Sequence, residues 1–330
     1  MFTTPVTPKP TATKISYNSN LFFIGSCFTE SIGEKFQRAK FKTNINPFGI
    51  LYNPVSISYA LERIISGVLY KPADLIFYEG LYHNPDHHGS FSGSDIDKVI
   101  YEINNSLIEA KEDILKATHL FITLGSADIY RFKESGKVAG NCHKMPGNIF
   151  TKERLSLTAI TSYLESAISA IIDINPAANI VFTISPVRYM QDGAHSGQLN
   201  KALLLLAAEN ICEKFPGNTE YFPAYEIVMD ELRDYRFYAE DMIHPSTVTV
   251  EYIYRKALES MADKSVLNII PQIEKVQAAR NHRFLHPSPE SIRKFAETQL
   301  AAISNIEKAM YPFIPDFEDE KNYLQNITYI

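Results

Sequence analysis

Ser26 stands in the segment Phe22-Phe23-Ile24-Gly25-Ser26-Cys27-Phe28, where an apolar run stops at a glycine and a helical pattern begins. A serine at such a strand-to-helix handover projects from a sheet edge. The free N–H groups of the helix start then favour negative charge developing beside it. A serine hydroxyl attacks a carbonyl only with a base beside it and a group that orients that base. Asp241-x-x-His244 offers both. Three residues apart, a carboxylate reaches the imidazole Nδ1–H and leaves Nε2 for the hydroxyl. Asp192-x-x-His195 has the same spacing, so spacing alone does not choose. Position does: Asp241 and His244 follow the last candidate strand, where a late loop folds back onto the first strand's end. The expected apparatus is therefore Ser26, His244 and Asp241. The plainer alternative has Ser26 begin a turn or cap the helix, with Thr29 competing for the cap.

Other groups carry possible chemistry. Cys27 is a second candidate nucleophile at the helix start, although a cysteine there is expected to point into the core as a small apolar residue. The segment 82–91 gathers His83, Asp86, His87 and His88. Its spacing matches no metal motif, and no metal or cofactor is expected. Flanked by Tyr82 and Phe91, His87 and His88 are expected to line a substrate loop. Asn141 and His143 either add polar groups to the pocket or stabilise a turn. Arg188, after Ser185-Pro186-Val187, is placed to hold a substrate carboxylate or phosphate, or to pair with a nearby acid.

The elements that must position these residues alternate. Apolar strand runs at 21–24, 41–45, 119–124 and 179–185, with a short one at 221–222, are separated by helical patterns at 29–40, 55–66, 96–116, 152–174, 199–215 and 247–262. That alternation predicts a parallel sheet covered by helices on both faces. Ligands of such sheets sit beyond the carboxyl ends of the strands, which selects the loops at Gly25-Ser26, Gly125-Ser126 and Ser185-Pro186. Residues 1–20 read as an extended Thr- and Pro-rich segment and 21–262 as the catalytic unit. Residues 263–330 read as a helical extension, with helices at 270–283 and ending near Ala309 (its start capped by Ser288) and an acidic, aromatic tail. Residues 70–95 read as a loop and 131–150 as a polar excursion.

Composition limits the rest. The 330 residues are 45% apolar and 21% charged with a net charge of −6, a globular rather than a disordered profile. No basic block suggests a nucleic-acid partner, and no run approaches a membrane span. Three cysteines make no disulfide framework. With no leader pattern at the start, a cytoplasmic location is expected.

Taken in order, Gly25-Ser26-Cys27-Phe28, Asn46-Pro47-Phe48-Gly49, Asn141-Cys142-His143-Lys144, Ser185-Pro186-Val187-Arg188 and Asp241-Met242-Ile243-His244-Pro245 resemble the GSCFA family, which is placed among the SGNH (GDSL-like) hydrolases. The resemblance spans roughly residues 20–260, and Thr29 departs from the family's fifth letter. It implies a three-layer α/β/α sandwich with a flavodoxin-like parallel sheet and a Ser26-His244-Asp241 apparatus. Gly49 would supply an oxyanion N–H beside that of Ser26. The third SGNH block carries Ala127 where an oxyanion-binding Asn is usual, so Asn46 or Asn141 would have to replace it. The implied activity is an esterase removing an O-acyl group, such as acetyl, from a small molecule or carbohydrate. The same acyl-enzyme would serve an acyltransferase, and a degenerate site would leave a carbohydrate- or metabolite-binding protein.

Overall fold

Short runs of β-branched and aromatic residues pair into one parallel five-stranded sheet. A computed structural model describes residues 3–280, 284–285 and 288–327. The strands are β1 (Asn20–Gly25), β2 (Lys42–Ile45), β3 (His119–Leu124), β4 (Asn179–Ile184) and β5 (Thr219–Tyr221), in spatial order 2-1-3-4-5. This is the flavodoxin-like order, and it places the switch point between β1 and β3. Both faces of the sheet are buried, which is why the strands read as continuous apolar runs rather than as alternation. Phe22, Ile24, Leu120, Ile122, Ile180 and Phe182 pack into one core. Phe23, Phe121 and Val181 pack into the other, with the Phe23 and Phe121 rings stacked at 4.5 Å across paired strands.

Helices α2 (Pro54–Ser66), α3 (Ile96–Lys116), α4 (Leu157–Ile174) and α5 (Gly193–Lys214) cover the first face. Helices α1 (Cys27–Arg38) and α6 (Thr247–Met261) cover the second. The start of α2 is fixed by Asn53, whose Oδ1 accepts the Ser56 N–H at 2.8 Å, with Pro54 in the first helical position. Within residues 3–19 there is no helix. Ile15 N–H donates to Met261 O at 2.8 Å and straps this segment onto the end of α6. Helices α7 (Lys264–Arg280), α8 (Pro289–Met310) and α9 (Glu318–Ile327) add Val266, Ile270, Ile303, Phe317 and Leu324 to the second core. Ser288 does cap α8, accepting the Ser291 N–H. Within the acidic, aromatic tail Glu318–Ile327 forms α9. The last residues of the helix expected at 270–283 lie outside the described residues.

Two segments depart from expectation. The polar excursion folds as an antiparallel sheet of Asp128–Phe132, Val138–Ala139 and Phe150–Arg154. Residues 152–154, read as the start of a helix, belong to it, because Ser156 caps α4 and the chain before the cap is extended. The loop before α3 contains a hairpin, Ile76–Tyr78 with Leu81–His83. Contrary to the expectation that no run approaches a membrane span, α4 has the length and mean hydropathy, 1.3, of one. Its Ile160, Leu164, Ala167, Ile168 and Ile171 are core residues facing the sheet, which accounts for the apolar composition.

The exit from β1 is tightly drawn. Gly25 has φ +145°, and a Cβ there would lie 2.2 Å from the Thr123 carbonyl oxygen of β3. Only glycine takes that conformation without strain. The Gly25 N–H is held by Asn46 Oδ1 at 2.9 Å.

Candidate active site

At the carboxyl ends of β1, β3 and β4 lies a cavity of about 490 Å³. Its walls come from several separate segments of the chain. The start of α1 gives Cys27, the loop into α2 gives Tyr52 and Asn53, and the small antiparallel sheet gives Asp128, Tyr130 and Lys152. The loops after β4 and before α6 give Arg188, Tyr189, Asp192, Ile243 and His244.

The serine and the cysteine trade their expected places here. Ser26 is fully buried, and its Oγ has no hydrogen-bond partner among the described residues. It occupies the position before α1 with extended backbone but makes no side-chain cap bond. Gly125 covers it: a Cβ on that glycine would stand 3.4 Å from Ser26 Cβ. The Gly125 and Ser126 N–H groups both donate to Tyr52 O, at 2.8 and 2.9 Å, closing this layer over the serine. Ser26 therefore does not reach the cavity, and the expectation that it faces substrate is corrected. Cys27, the first residue of α1, lines the cavity instead and is partly exposed. It is a free thiol. Burial pushes its pKa above the usual thiol range, while its own N–H and that of Phe28 bond the sulfur and pull the value back.

Asp241 and His244 meet as expected. Asp241 Oδ2 is 2.7 Å from His244 Nδ1, and Asp241 Oδ1 accepts the N–H groups of Ile243 and His244 at 2.9 and 3.0 Å. The bond to His244 holds the Asp241 carboxyl down at about 2, so it stays ionised through the physiological range. With Nδ1 so engaged, Nε2 is the free nitrogen of an imidazole on the cavity wall. The loop carrying the pair is closed on itself by Ala239 N–H to His244 O (2.7 Å) and Ser246 N–H to Phe237 O (2.9 Å). The other spacing match separates: Asp192 pairs with Lys152 on the cavity wall, whereas His195 is exposed on α5.

The remaining candidates divide by location. Asn141 and Arg188 line the cavity. Gly49 does not: its N–H is spent on Asn46 O at 2.6 Å in a tight turn, and a Cβ there would meet His88. Asn46 is buried behind β1, holding the Gly25 N–H. His87 is a core residue stacked on Phe48 at 4.2 Å, and burial lowers its pKa to about 3. His143 is buried, bonding Asn84 O through Nε2 at 2.9 Å. His88 bonds Ser90 and takes no part in the wall. The histidine segment thus builds the framework behind the loop rather than a substrate surface. Among the described residues no group of His, Cys, Asp or Glu is arranged to hold a metal.

Two residues went unnoticed in the sequence. Asn53 lines the cavity, and because its Oδ1 caps α2, the group left to bind a ligand is its amide Nδ2. Ala127, at the position of the third block's usual Asn, is packed in the core. An Asn directly before Pro at a helix start was the available signal. Lys201 on α5 is buried, its Nζ donating to Gly125 O (2.8 Å) and Ser185 O (2.7 Å) and so tying the ends of β3 and β4 together. Burial lowers its pKa to about 7, and Cys27 opposes that shift. A lysine amid a helix ordinarily reads as solvent-facing, so nothing in the sequence marked it.

Because burial raises the Cys27 thiol, its alkylation by iodoacetamide is expected to keep accelerating from pH 7 to beyond pH 9. Labelling followed by mass spectrometry tests this. A rate already flat at pH 7 would mean a preformed thiolate.

The family model described as "GSCFA family" matches residues 20–256, and that described as "GSCFA domain protein, C-terminal domain" matches residues 273–328. No curated protein matches the chain. Among solved structures, one described as "a putative platelet activating factor from Streptococcus pneumonia" aligns at 11% identity and TM-score 0.39, over 74% of this chain and 84% of that one. An acetyl xylan esterase from the rumen bacterium Butyrivibrio proteoclasticus aligns at 13% identity and TM-score 0.36, over 74% of this chain and 63% of that one.

Proposed function

The chain belongs to the GSCFA family, and we propose that it is an acyl-transferring hydrolase, an esterase in its simplest form, with Cys27 as nucleophile. One observation carries the reading: Cys27 and His244, whose Nδ1 is bonded to Asp241, line the same cavity at the strand ends. The nucleophilic role expected of Ser26 passes to its neighbour.

In the first half-reaction His244 Nε2 takes the thiol proton and Cys27 Sγ bonds the ester carbonyl carbon. The N–H groups of Cys27 and Phe28 at the start of α1 lie beside the Cys27 sulfur. Together with Asn53 Nδ2 they stabilise the oxyanion. The carbon–oxygen bond to the alcohol breaks, and the imidazolium returns its proton to the leaving oxygen. In the second half-reaction water gives a proton to His244 and its oxygen to the acyl carbon, and the thiolate leaves and regains the proton. Asp241 holds the imidazole tautomer throughout. A cavity of about 490 Å³ has room for an O-acylated small molecule or one sugar unit. The walls of Tyr52, Tyr130 and Tyr189 suit either.

Mixing the protein with an aryl acetate and quenching in acid is expected to leave one acetyl group on Cys27, found by peptide mass spectrometry. Turnover with the acetyl group on any other residue, or no turnover and no adduct, would refute the assignment.

A further inference from the structure

The charges around the cavity balance except at one residue. Asp128 accepts from Arg154 Nε at 3.3 Å and from Asn200 Nδ2 at 3.0 Å, and Lys152 lies 3.8 Å away. Asp192 is paired with Lys152, and Asp241 with His244. Of the charged side chains that line the cavity, Arg188 is the one without an oppositely charged partner among the described residues. Its guanidinium lies beside two aromatic rings instead, 5.4 Å from the Tyr235 ring centroid and 5.6 Å from that of Tyr238. One terminal nitrogen bonds Met242 O at 3.4 Å and the other Met190 Sδ at 3.8 Å. Two of the five N–H donors are so engaged, which leaves the rest of the planar fork for a ligand on the cavity wall. A half-buried guanidinium without a counter-ion, beside ionic neighbours that all have one, is an arrangement that a bound anion completes.

Its position fixes which end of the substrate bears the charge. The Arg188 N–H donates to Ile243 O at 3.1 Å, so the residue is laced to the loop that presents His244. His244 must protonate the leaving oxygen, so the alcohol part of the substrate lies on this side of the cavity. The geometry points to an ester whose alcohol portion carries a carboxylate or phosphate, recognised by Arg188. This rests on the acyl-transfer reading for the direction of the substrate, but not for the anion site itself.

The test compares acetyl esters of one phenol carrying a para group of different charge: methyl 4-acetoxybenzoate, 4-acetoxybenzoate and 4-acetoxyphenyl phosphate. Wild-type kcat/KM is expected to favour at least one anionic ester over the neutral one by about tenfold or more, chiefly through KM. The preferred anion identifies carboxylate or phosphate as the group. In Arg188→Gln the anionic-to-neutral ratio falls to near one, and Arg188→Lys restores part of it. A wild-type ratio of one or below, or an unchanged ratio in Arg188→Gln, would overturn the inference. Should none of the esters turn over, protection of Cys27 from iodoacetamide decides instead. 4-Hydroxybenzoate or phenyl phosphate should then protect the wild type better than 4-hydroxybenzamide does, and should lose that advantage in Arg188→Gln. Equal protection by charged and neutral compounds would overturn the anion site independently of the reaction.

Discussion

Replacing Cys27 with alanine is expected to lower kcat/KM for an aryl acetate by about three orders of magnitude or more, whereas Ser26→Ala leaves it within about threefold. The two residues are neighbours, so position in the chain is held constant and only the direction of the side chain differs. Cys27 is on the cavity wall with His244, while Ser26 Oγ is sealed beneath the Gly125 layer. The serine variant should also fold at least as well as the wild type. A buried hydroxyl without a partner contributes an uncompensated desolvation cost. Removing it should therefore leave stability unchanged or raise it by up to about 1 kcal/mol. Steady-state rates with urea melts on both variants make the comparison. A folded Ser26→Ala protein without activity, beside an active Cys27→Ala protein, would return the reaction to the serine.

Gly25→Ala is expected to cost about 3 kcal/mol or more, enough to leave much of the protein unfolded at moderate urea. The added methyl would stand 2.2 Å from the Thr123 carbonyl oxygen and 2.9 Å from Thr29 Oγ1. The first of these is backbone of β3, paired on both sides, and the same oxygen accepts the Ser26 N–H. That oxygen cannot retreat without breaking the sheet at the site. The φ of +145° adds strain of its own for any residue with a Cβ. Gly147→Ala is the control, because its Cβ would meet nothing within 4 Å, and it should stay within about 0.5 kcal/mol of wild type. A Gly25→Ala loss below about 1 kcal/mol would mean the β1 exit relaxes more easily than its packing implies.

What could be read from the chain alone, and what could not, divides along a physical line. The central strands were legible because each is a short, largely apolar run bounded by a turn, as in 119–124 and 179–184. The Asp241–His244 pair was legible because a spacing of three brings the two together locally. Which of Ser26 and Cys27 faces substrate was not. Along β1 the side chains alternate, Phe23 to one core and Ile24 to the other. That period of two stops at Gly25, the helical period begins at Cys27, and neither rule fixes direction in the gap between them. The small sheet at 128–154 escaped for another reason. Its two longer strands are half-exposed and polar on one face, and they pair antiparallel across a distant return of the chain. Lys201 depends on tertiary contacts with the ends of β3 and β4, which no local pattern encodes.

Asp241 and His244 ride on a single loop that closes on itself, so the aim of the imidazole does not depend on the sheet. What the sheet side contributes is proximity. The base behaves as a tethered reagent, and its effective concentration at the thiol is set by how firmly the loop stays docked. That docking includes the backbone bond from Arg188 to Ile243 O, at 3.1 Å, and the longer one from its guanidinium to Met242 O. Surface segments held by so few bonds open at a small fraction of the free energy of global unfolding. Each 1.4 kcal/mol or so of lost docking, once the open state predominates, removes a factor of ten in encounters between base and thiol. Mild heat or low denaturant would therefore silence turnover while the sheet and both cores still read as native. The temperature at which this protein stops working would be a property of one loop.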